Sequence, residues 1–170
     1  MEKIKVLAIR KDIFLALAEF AALLGVATLA PMLGNQAITG PIVNAVLFLS
    51  VVFLGPQGAI LVGLMPSLIA LSIGTLPVIL APMVPFIITG NVILILVFSY
   101  LGKKNYWLGV ISASFLKFIF LAATSSVVID LLLKKEIAQK VAIMMSWPQL
   151  LTALAGGLIA YLFLKSIKRI

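Results

Sequence analysis

Lys117 lies near the middle of the stretch from Tyr106 to Leu133, which carries no other charge before Asp130. An ammonium near a bilayer centre costs about 3 kcal/mol on insertion scales, so such a group faces a bundle interior or a wet cavity and marks a candidate functional site. On a helix, Ser114, Lys117, Thr124 and Ser125 project within one sector, because their spacings return to the same face. One cation beside hydroxyl groups can meet an anionic or carbonyl group. Two structural alternatives stand beside that reading. Ser and Thr hydroxyls can bond to their own helix backbone. Glu19, the only other intramembrane ionisable residue, could pair with Lys117 and neutralise both charges, although it lies nearer the start of its own helix.

Other polar groups fall in the same half of the predicted bundle. Asn91 needs a partner in hydrocarbon, as an isolated amide would be penalised there. Trp147, Gln149, Thr152 and Gly156 open the final apolar segment, with Pro148 suited to its first turn. Gly156 leaves room for a ligand or a helix. Asn91 and Gln149 can equally glue helices together, and Trp107 and Trp147 sit where interfacial aromatic belts occur.

The elements that position these groups follow from composition. The chain is 64% hydrophobic and 11% charged, with a mean hydropathy of +1.28, against about 25% charged residues in soluble domains. Cys and His are both absent, which removes disulfides, thiolate nucleophiles, imidazole bases and most transition-metal sites. Neither a metal nor another cofactor is expected. The net charge of +8 resides at the ends of apolar segments and reads as a topology signal. The basic start, Met1 to Lys11, precedes an apolar run too long for a signal core, so that helix is expected to remain in the protein.

The fold expected is an all-α integral membrane protein, a single transmembrane domain over residues 1–170 built as a bundle of six transmembrane helices. The segments are Asp12 to Ala30, Ile42 to Leu54, Ala59 to Ile73, Met83 to Leu101, Tyr106 to Leu133 and Pro148 to Leu164, with a tight turn at Gly55-Pro56-Gln57-Gly58 between the second and third. Six crossings put Lys3, Lys5, Arg10, Lys11, Lys103, Lys104, Lys165, Lys168 and Arg169 on one face, against Lys134, Lys135 and Lys140 on the other. Positive residues stay in the cytoplasm, so both termini are expected inside. Four crossings with re-entrant second and third segments pass the same test. The stretch from Pro31 to Pro41, with Gly34 and Gly40 inside it, then forms an outer turn or lid.

The first helix carries Ala18-x-x-x-Ala22 and Ala21-x-x-x-Gly25, small side chains that let another helix approach closely. Six helices in a chain of this length, both ends inside, this small-residue step, the Gly/Pro-bounded outer loop and an outward-facing cavity from the last three helices resemble a family. It is similar to the substrate-binding S components of energy-coupling factor transporters, and Ala81 to Asn91 resembles the fourth-helix start of small bacterial members whose substrate is unassigned. The resemblance covers the whole chain.

That resemblance implies a solute-binding subunit in the cell membrane of a prokaryote, capturing a vitamin or other micronutrient from outside for ATP-driven uptake. Its partners would be a transmembrane coupling subunit and two ATPase subunits. Ala18, Ala22 and Gly25 would form the coupling face, within which Glu19 departs from the pattern. No Gly-x-x-x-x-Gly-Lys-Ser/Thr phosphate loop is present, and no catalytic role is expected of this chain. The binding site is expected to use Asn91, Lys117, Thr124, Ser125, Trp147 and Gln149, gated by Asn35, Gln36 and Thr39. Trp147 could stack on a planar ring. An independent small secondary transporter or channel is the alternative, and a membrane enzyme acting on a lipid stands behind it, because the acidic residues are scattered.

Overall fold

A computed structural model describes residues 2–74, 78–132 and 141–170, with side chains described for 13–74, 81–127 and 141–170. All regular elements among the described residues are helical. The longer ones are α1 (Glu2–Leu29), α2 (Gln36–Ser72), α3 (Val84–Leu101), α4 (Tyr106–Leu132) and α5 (Trp147–Ser166). Short 3₁₀ turns at Ala30–Leu33 and Val78–Met83 lead into α2 and α3. Among the described residues, five helices are long and apolar enough to cross a membrane, as expected of a multi-pass membrane protein.

Helix α2 is interrupted at Gly55, whose φ of 73° and ψ of 177° belong to a region essentially closed to residues with a Cβ. This is where the sequence predicts a tight turn. Residues 36–54 and 56–72 double back on each other: a Cβ on Gly63 would lie 3.2 Å from Leu47 Cδ2. In one straight helix those residues would stand about 24 Å apart.

The main core joins Phe48 of α2, Phe98 of α3, Val110 and Ala113 of α4, and Ala153, Ala160 and Leu164 of α5. Phe48 and Phe98 meet edge to face at 4.8 Å between ring centres. Helix α5 approaches α2 at backbone distance. A Cβ on Gly156 would come within 2.6 Å of Asn44 Cβ and 2.7 Å of the Ala45 backbone nitrogen, so only glycine fits. Helix α1 docks on α2 through Phe20, Leu23 and Ala27, leaving residues 13–18 exposed.

Two boundaries differ from expectation. Helix α1 begins well before Asp12. The expected loop from Pro31 to Pro41 is mostly helical: Asn35 caps α2 by accepting a hydrogen bond from the Ala37 N–H at 2.9 Å, so Gln36 and Thr39 belong to the first turns of α2. Pro41 stands inside that helix. In the basic connection, residues 141–145 are helical, whereas Lys134, Lys135, Glu136 and Lys140 lie outside the described residues.

Candidate functional site

Lys117 sits about 16 Å along α4 from Tyr106 and about 15 Å from Val127, near mid-span. Its side chain is 3% exposed. The ammonium donates to Asn44 Oδ1 at 2.7 Å and to Asn91 Oδ1 at 2.8 Å. Each asparagine is held from behind: Asn44 Nδ2 donates to the Gly40 carbonyl at 2.9 Å, and Asn91 Nδ2 to the Gly63 carbonyl at 3.2 Å. Both amides therefore commit their donors to backbone oxygens and turn their acceptors to the lysine. Three elements position this cluster, and Gly156 presses directly on Asn44 to fix its depth.

The expected alternative pairing with Glu19 does not occur. Lys117 is held by amide dipoles, and no ion pair forms among the described residues. Glu19 lies half-buried on α1, whose described contacts are with α2. A lysine paired with a carboxylate would be electrically neutral. Here two neutral amides hold the ammonium, no carboxylate partners it among the described residues, and one of its three N–H donors is not used by a described residue.

The cluster forms part of the lining of a cavity of about 270 Å³. One wall is the two halves of α2, with Val43 and Pro66 among their contributions; Ile87 of α3 and Gln149 of α5 complete the sides. Met144 and Met145 also line it, together with the expected gating residues Asn35, Gln36 and Thr39. The methionine segment is latched: Gln36 Nε2 and Gln149 Nε2 both donate to the Met144 carbonyl, at 3.0 and 3.1 Å. Thr39 Oγ1 donates to the Ala30 carbonyl at 3.0 Å and ties α2 to the end of α1.

Of the residues the sequence nominated for binding, Asn91, Lys117 and Gln149 converge on this cavity. Thr124 and Ser125 do not line it. Their hydroxyls donate to the Phe120 and Ala122 carbonyls of their own helix at 2.7 and 3.0 Å, because back-bonding satisfies a hydroxyl without any neighbour. Trp147 is 60% exposed and borders a separate apolar groove with Pro41 and Leu151, so it stands outside the lysine cavity. Thr152 packs on Gly40 and donates to the Gln149 carbonyl. Ser114 is fully buried, and its hydroxyl has no hydrogen-bond partner.

Sequence reasoning missed Asn44, which is 2% exposed and is the closest recorded partner of Lys117. The available signal was the one used for Asn91, an amide inside an apolar run. On the α1 surface, Ala18 and Ala22 are exposed, and a Cβ on Gly25 would meet nothing within 4 Å. No group of three or more His, Cys, Asp or Glu capable of holding a metal occurs among the described residues. Comparison of the chain with protein-family models, with curated proteins and with solved structures finds no match.

Proposed function

We propose that this chain is a membrane-embedded solute-binding subunit, of the kind found as S components of energy-coupling factor importers, which captures a small solute for uptake driven by separate ATPase subunits. The observation that carries the reading is the buried Lys117 ammonium, held by Asn44 and Asn91 beside a cavity of about 270 Å³ and without a carboxylate partner among the described residues. A purely structural lysine would be expected with a carboxylate partner, since an unpaired buried charge is expensive.

The reading includes six crossings with both ends in the cytoplasm. The fold-back of α2 at Gly55 makes two spans of one element. It gathers that turn, the α3–α4 connection and the C-terminus at one end of the bundle: Arg169 lies over the Phe53 ring at 5.4 Å, and Trp107 meets Tyr161 at 5.0 Å. Lys103, Lys104, Lys165, Lys168 and Arg169 follow at that end, which the retention of positive charge assigns to the cytoplasm. Asn35, Gln36 and Met144 stand at the other end, so solute enters from outside. The exposed Ala18 and Ala22, with the open space beside Gly25, offer the face on which a coupling subunit docks.

Affinity purification of the protein from its native membrane tests this function. Co-isolation of two ATPase subunits and a transmembrane subunit, lost in an Ala22→Trp variant that still folds, is the expected result. Solute counterflow by the protein alone in liposomes, with no ATPase in its complexes, would overturn it in favour of an independent transporter.

A further inference from the structure

The cavity's charge, size and wall chemistry together restrict what can occupy it, an inference that rests on the solute-binding reading above. The described lining contains one basic side chain, that of Lys117, and no carboxylate. Its volume is about 270 Å³. Several of the other polar groups have partners: Asn44 Nδ2 and Asn91 Nδ2 donate to the Gly40 and Gly63 carbonyls, and Gln36 Nε2 and Gln149 Nε2 to that of Met144. The other walls come from Val43, Pro66, Ile87 and the two methionines, an apolar and adaptable surface.

We infer that the site takes a small monoanion, a single carboxylate on a compact apolar body, bound through the third N–H of Lys117. Low local dielectric strengthens attraction to an anion and raises the cost of bringing in a cation, whose charge would face Lys117 with no acidic side chain in the described lining to offset it. A zwitterion meets the same difficulty at its ammonium. A second negative charge would find no second described cation in the lining.

The test is equilibrium binding to the purified full chain in detergent, using probes of similar size that share a phenylalkyl body and differ in the charge of the head group: 3-phenylpropanoate and its isostere 3-phenylpropanamide, 3-phenylpropylamine and phenylalanine. It is joined to mass spectrometry of any small molecule released on denaturing the native protein. The expected result is binding of the propanoate at least about tenfold tighter than the amide, with the amine and amino acid weaker still, and a monocarboxylate among the released compounds. Release of a cationic, zwitterionic or uncharged solute, or a probe order that puts the amine or amino acid first, overturns the monoanion inference and leaves solute binding standing. Absence of any released solute together with no binding of any probe overturns both. The native protein carries the experiment, so a Lys117→Met variant that fails to fold does not affect it.

Discussion

The lysine cluster makes a quantitative claim about coupling. Lys117→Met removes the ammonium and leaves two asparagine oxygens, Asn44 Oδ1 and Asn91 Oδ1, without their donor. Asn44→Ala removes one acceptor from the charge and one donor from the Gly40 carbonyl. A hydrogen bond to a charged group contributes about 1.5–3 kcal/mol in soluble proteins, while bonds between membrane helices average about 0.6 and reach about 1.7 kcal/mol. The 2.7 Å bond between Lys117 and Asn44 combines charge with a membrane setting, so its coupling energy is expected at about 1–2 kcal/mol. The double variant should therefore cost about 1–2 kcal/mol less than the sum of the two single ones, because Asn44 has no ammonium left to lose once Lys117 is gone. Reversible unfolding of the four proteins in mixed micelles, followed by tryptophan fluorescence, measures the cycle. Pairing Lys117→Met with Thr124→Ala supplies the control, since the Thr124 hydroxyl returns to its own helix and should add independently. Additivity of Lys117 and Asn44 within about 0.5 kcal/mol would refute the claim that the amide solvates the charge.

Two further expectations concern the scaffold around that cluster. Gly156→Ala drives a methyl against Asn44 Cβ and the Ala45 backbone at 2.6 and 2.7 Å, so it should destabilise by about 1–3 kcal/mol, whereas Gly25→Ala faces open space and should stay within about 0.5 kcal/mol; equal thermal midpoints for the two would contradict the packing described. Removing both latch donors with Gln36→Ala and Gln149→Ala frees the Met144 carbonyl, and amide hydrogen exchange over residues 141–145 should quicken by about tenfold. Exchange unchanged from the parent protein would mean that the two glutamines do not hold that segment.

A good part of this architecture was legible in the residues. The apolar runs marked α3, α4 and α5 to within a few positions, and the Gly55-Pro56 pair marked the break in α2, because backbone groups in hydrocarbon must close their own hydrogen bonds and a turn there demands special residues. The start of α2 was less legible. Pro31, Gly34, Gly40 and Pro41 resemble a loop in composition, yet Asn35 caps a helix that carries Pro41 within it.

The candidate site divides in the same way. Charge scarcity alone singled out Lys117, and the penalty on lone amides singled out Asn91. Helical periodicity also grouped Thr124 and Ser125 with Lys117, but a shared face does not decide whether a hydroxyl looks outward or back to its own carbonyls, and here both look back. Trp147 and Gln149 are two residues apart and looked alike as candidates. Only the packing of α5 on α2 turns Gln149 to the cavity and leaves Trp147 in the outer groove.

The sequence by itself determined that Lys117, a cation inside an apolar run, should lie within a helical bundle and meet polar groups there, since an ammonium left alone in hydrocarbon is costly whatever the fold. The tertiary structure decided what solvates it. Asn44 and Lys117 are far apart in the chain and meet because Gly55 folds α2 back, Gly156 seats α5 against Asn44, and the Gly40 and Gly63 carbonyls orient the two amides. Glu19, the partner that charge alone would choose, lies on a helix whose described packing is against α2, so among the described residues geometry gave the ammonium amide dipoles in place of a countercharge.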